Sequence, residues 1–104
     1  MIEETIHHRD TTIVQRLFLG PGEGTTWHRD PFHRVSVVLK GDTLAIEFRD
    51  GSPSKRVTVI PGQVDWDEPG DRIHRAVNID VGPYEETTIF FLARADDVPQ
   101  PDAP

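Results

Sequence analysis

The chain has 104 residues, 11 Lys plus Arg against 18 Asp plus Glu, a formal charge of −7, and no Cys. This length sets one domain, so a site must lie inside a single fold or between two copies of it, and the scattered basic residues exclude nucleic acid as the main partner. The lack of Cys excludes disulfides, thiolate zinc sites and Cys nucleophiles, leaving His and carboxylates as the metal ligands. No apolar run approaches the ~18 residues of a membrane span. The acidic start Met1-Ile2-Glu3-Glu4 is unlike a signal peptide, and a cytoplasmic protein is expected.

Gly and Pro punctuate short segments rich in Val, Ile, Thr and Phe, a pattern of strands, and nowhere is a helical period sustained over three turns. His7 and His8 fall in a polar N-terminal stretch and read as solvated. Residues 11–19 form the first expected strand and residues 25–30 the second, where His28 and Asp30, two apart, share one face. Val35, Val37 and Leu39 make an apolar row. Leu44, Ile46 and Phe48 alternate along 42–48, and Asp50-Gly51-Ser52-Pro53 turns into 55–60, which predicts a hairpin. Val64 and Trp66 alternate with Asp65 and Asp67. These acids, with Glu68 and Asp71, match no calcium loop and read as a solvated face. Residues 73–79 and 87–94 complete about eight antiparallel strands, the number of a small sandwich or jelly roll. In the last strand Ile89-Phe90-Phe91-Leu92 cannot turn all four large side chains into one barrel, so a homodimer that covers the outer face is expected. Residues 95–104 carry three Pro and three Asp with almost nothing to bury and read as a flexible tail.

The chemistry-bearing residues are few. His28 and Asp30 follow Gly22-Glu23-Gly24-Thr25-Thr26-Trp27, and His74 follows the Pro69-Gly70 turn with Asn78 four residues on. In these two segments the chain resembles the cupin superfamily. Gly22, His28 and Gly41 fit its first motif, while Pro69, His74 and Asn78 fit its second. The resemblance runs from about Gly20 to Leu92, and Trp27-His28-Arg29 is similar to a stretch of small bacterial cupins. It implies a single cupin-type jelly-roll barrel over residues 1–94. Two family ligand positions depart: Asp30 stands at the second His, and Arg34, seven residues before Gly41, stands at the Glu. With family geometry, His28, Asp30 and His74 converge as two imidazoles and a carboxylate, a set for Fe(II), Mn, Ni or Zn with coordination positions left open.

Strand parity leaves one alternative open. Alternation with Val35 puts His33 on the apolar row and Arg34 on the other face, whereas the motif puts Arg34 in the barrel. His33 inside is a fourth ligand; Arg34 inside favours an anion. A lone strand His is more often a hydrogen-bonded structural residue, and Asp30 paired with Arg29 or Arg34 fills the site without catalysis. Trp27 and Trp66 read first as core or interface aromatics, with Trp27 also a candidate substrate contact beside Arg34. Three functions compete. The first is a metal-dependent cupin enzyme acting on a small, carboxylate-bearing molecule, with dioxygenase, isomerase, lyase and cyclase chemistry all open. The second is a metal-free enzyme in which His28 or His74 moves a proton. The third is a non-catalytic binding or sensing module.

Overall fold

The computed structural model describes residues 1–97, where all regular structure is β-strand. The strands are β1 (Ile2–Arg9), β2 (Thr12–Leu19), β3 (His33–Lys40), β4 (Thr43–Phe48), β5 (Lys55–Thr58), β6 (Val64–Asp67), β7 (His74–Asn78) and β8 (Tyr84–Phe91). They form a five-stranded sheet in the order β1-β2-β8-β3-β6 and a three-stranded sheet in the order β5-β4-β7. Every pairing is antiparallel. The all-β, eight-stranded class expected from the sequence is therefore present. No helix among the described residues is long and apolar enough to cross a membrane.

The expected β4–β5 hairpin forms, with Asp50 Oδ1 accepting the Ser52 N–H at 2.9 Å and Gly51 at a φ of 85°. Elsewhere the elements shift. Residues 2–9 form a strand that the sequence pattern does not mark, because β1 lies at a sheet edge with every residue exposed and carries no apolar alternation. Residues 25–30, expected as a strand, instead make one isolated bridge to β7 at His28–His74, next to a second at Gly24–Val77. The last strand begins at Tyr84 and ends at Phe91, three residues earlier than expected at each end. Of the tail, residues 98–104 lie outside the described residues.

Two apolar clusters hold the sheets together. Leu19, Val38, Leu44, Val59 and Tyr84 close one end; Ile13, Phe90 and Leu92, with Phe32 against them, pack near the other. A fully buried aliphatic side chain such as Leu19 or Val38 contributes about 1.5–3 kcal/mol. Asn78, 1% exposed, ties the closed end by donating to the carbonyls of Leu19 at 3.1 Å and Gly82 at 2.8 Å.

The side chains facing inward on the larger sheet are not those of the most apolar rows. On β3, Arg34, Ser36 and Val38 line the interior, while Leu39 is 43% exposed. On β6, Asp65 and Asp67 face in, with Asp67 beside Arg34, and Val64 and Trp66 face out. The reading of Asp65 and Asp67 as a solvated face is thus corrected. The apolar rows of this sheet cover its outside, where Trp66 stacks on Phe91 with ring centroids 5.6 Å apart.

Candidate functional site

Between the sheets lies a cavity of about 530 Å³. Its site begins with a backbone feature. His28 and His74 exchange both main-chain hydrogen bonds, N–H to carbonyl in each direction at 3.0 Å, which brings the two rings to a centroid distance of 4.6 Å. The pre-strand segment is held to the start of β7 at this point, and Thr25 adds its own N–H to the Ala76 carbonyl at 2.9 Å.

Each ring is oriented by the chain that precedes it. His28 Nδ1 lies 2.8 Å from the Thr26 carbonyl, and His74 Nδ1 lies 2.8 Å from the Arg72 carbonyl. A carbonyl only accepts, so both Nδ1 atoms carry hydrogen. The two Nε2 atoms point at one oxygen: Asp30 Oδ2 is 2.9 Å from that of His74 and 3.4 Å from that of His28. In the neutral rings these would be three acceptor lone pairs facing one another. Such a cluster suits a cation, and a proton on an imidazole or a metal ion would each relieve it beside the Arg34 guanidinium, which already reaches the same oxygen.

Charge reinforces this. Burial opposes ionisation of Asp30, but hydrogen bonds from His28 and His74 and the charge of Arg34 outweigh it and hold the carboxyl far below the usual range. Burial likewise opposes the charged form of His28, yet the hydrogen bond and charge of Asp30, with the Thr26 carbonyl, leave its pKa raised. Arg34 Nη1 reaches the same Asp30 oxygen at 3.2 Å, and Nη2 lies 3.6 Å from Asp67 Oδ2. His28, Asp30 and His74 each offer one ligand atom, all within 4.8 Å of one another. Two imidazole nitrogens with their hydrogens held on the far side, plus a carboxylate, fit a divalent ion.

The structure separates the other sequence candidates. Arg34 lines the cavity, and His33 lies outside it, paired with Glu68 at 3.1 Å and packed on Trp66 at a ring-centroid distance of 5.7 Å. His33 is therefore not gathered with the other three ligand candidates, because the alternation of β3 turns it to the outer face. Trp27 does not line the cavity; the Arg75 guanidinium sits 4.6 Å from its ring centre, and Arg75 also donates to Glu47 at 2.7 Å. Ser36, Glu86 and Thr88, to which the sequence pattern assigns no role, also line the wall, beside Asp65. Their signal was the pairing parity of β8 with β3, which a single strand does not reveal.

No family profile and no curated protein matches this sequence. Solved structures do. A cupin domain from Bordetella pertussis superposes with a TM-score of 0.78 at 22% identity, over 88% of this chain and 93% of its own. The polyketide cyclase RemF from Streptomyces resistomycificus gives 0.65 at 15% identity, over 98% and 71%. The DMSP lyase DddQ from Ruegeria pomeroyi gives 0.64 at 18% identity, over 92% of this chain but 45% of the lyase.

Proposed function

From the cupin fold that this chain carries, we propose that it is a small-molecule enzyme whose chemistry is done in the cavity around His28, Asp30 and His74. The observation that carries this reading is the convergence of three acceptor atoms whose rings are locked by their Nδ1 hydrogens. His28 Nε2, Asp30 Oδ2 and His74 Nε2 would hold one divalent ion, of the Fe(II), Mn, Ni or Zn class. Bound there, it would polarise an oxygen-bearing ligand. Around it, Arg34 places a planar, permanently charged fork at the cavity wall that suits two oxygens of a carboxylate. Asp30 and Asp67 engage that fork within the protein. A carboxylate ligand that takes Arg34 would free Asp30 for the ion. Residues 1–94 act in this reading as one barrel, and a second copy covers the apolar outer face. That a lyase and a cyclase share the fold supports cavity chemistry without selecting the reaction.

Metal stoichiometry tests this. Protein purified without chelator, or loaded anaerobically with Fe(II) or Mn(II), should hold one ion per chain, and His28→Ala and His74→Ala should hold none. Small dicarboxylates should raise the melting temperature of the wild type and leave Arg34→Ala unmoved. A wild type that takes up no ion under loading overturns the metal reading. In that event the 2.9 Å contact of His74 Nε2 with Asp30 and the raised pKa of His28 favour the second reading, metal-free proton transfer by an imidazole.

A further inference from the structure

The cavity has a second polar group, deeper than the histidines and unused by the chemistry above. Along the inner face of β8, Tyr84 Oη donates to Glu86 Oε1 at 2.9 Å and Thr88 Oγ1 donates to Glu86 Oε2 at 2.5 Å. Ser36 Oγ lies 3.2 Å from Thr88 Oγ1. Thr88 has one hydroxyl hydrogen, which goes to Glu86, so Ser36 is the donor to Thr88. All three hydroxyl hydrogens are consequently spent in one direction, toward a single carboxylate.

Beside them, Asp65 Oδ2 accepts from the Gln63 amide at 2.8 Å, and Asp65 stands opposite Ser36 in the β3–β6 ladder. What Glu86, Ser36 and Asp65 retain for a ligand is lone pairs. The wall holds two carboxylates, while the cavity's Arg34 is engaged higher up by Asp30 and Asp67 and Lys55 lies exposed on the edge strand of the opposite sheet. Facing this wall, Leu44, Ile46, Phe48, Val57 and Ala76 are apolar. The wall accepts hydrogen bonds, and the five side chains named opposite it accept none.

We propose that the Ser36–Glu86–Asp65 wall is a specificity subsite that takes a hydrogen-bond-donating group of the ligand, an amino group by preference and a hydroxyl more weakly. This rests on the reading that the cavity binds a small carboxylate at Arg34, and it names the far end of that molecule. Arg34 and Ser36 are two positions apart on β3, roughly 7 Å of strand, so the spacer between the two ligand ends is a short aliphatic chain that lies against the apolar wall.

Hexanoate and its ω-amino and ω-hydroxy derivatives, with hexylamine as a fourth probe, test this by calorimetric titration of the full chain. The ω-amino acid should bind about tenfold more tightly than hexanoate, with the hydroxy acid between, and Glu86→Gln should shrink that preference to about twofold. Ser36→Ala, which leaves the Glu86–Tyr84 contact intact, should reduce it in part. Equal affinities of the wild type for all three acids would overturn the subsite while leaving the Arg34 reading in place. Hexylamine binding that Glu86→Gln abolishes, with no response to any acid, would sustain the subsite and overturn the carboxylate at Arg34. Binding of none of the four overturns both.

Discussion

Tyr84 is the single tyrosine of the chain, and its environment is severe. Burial, the nearby charge of Glu86 and the hydrogen bond to it, with a further contribution from Asp65, push its phenol well above the ordinary value of 10.0. A raised folded pKa means that the folded state keeps a proton the unfolded chain has lost. The associated stability is present in full below pH 10 and is lost as pH rises beyond it. Tyrosinate absorbance should therefore stay silent in the folded protein through pH 10 and appear together with the loss of β-sheet circular dichroism. A phenol that ionises at its ordinary pH while the sheet signal is intact would contradict this. At the same scale, the site was partly legible. His28, His74 and Arg34 stood at recognisable spacings, but the role of Glu86 was hidden. Nothing in Tyr-Glu-Glu-Thr-Thr tells which Glu faces in; the choice is made by Val38, which pairs with Glu86 across the sheet.

Among the elements, β3, β4 and their connection fix the geometry of the closed end. Gly41 sits between them at a φ of 142°, and a Cβ there would lie 2.5 Å from the Tyr84 ring. Neither the backbone nor the buried ring can give way cheaply, so Gly41→Ala should destabilise the fold by about 2–4 kcal/mol, seen as a lower urea midpoint with an unchanged slope. A midpoint within error of wild type would show that the ring has room to move. The β4–β5 hairpin could be read because an Asp-Gly turn and a period of two coincide. β6 was misread for a physical reason. Apolar side chains normally mark the inner face, but Val64 at 62% and Trp66 at 56% exposure sit outside, while the acids beside them serve the cavity. β1 could not be read at all, since an edge strand paired on one side needs only backbone hydrogen bonds to form.

Seen whole, the molecule has apolar surface on both sides of its larger sheet. Ile2, Val64, Trp66 and Phe91 are each at least 40% exposed on the outside, and they lie on the first, last and central strands of that sheet. An apolar surface spread over one sheet face is what a second copy buries, and light scattering at micromolar protein should give twice the 11.8 kDa chain mass. Trp66→Asp, which charges the centre of the Trp66–Phe91 stack, should return it to the monomer. A wild type that scatters as a monomer would rule the dimer out. The unlike walls of the cavity carry a different consequence. A flat molecule lying between the acceptor-lined sheet and the apolar one has its two sides distinguished before any bond changes, and the imidazoles of His28 and His74 meet it from one direction only. Handedness in the product, or in which mirror image of a substrate is taken, would then follow from how the two sheets differ.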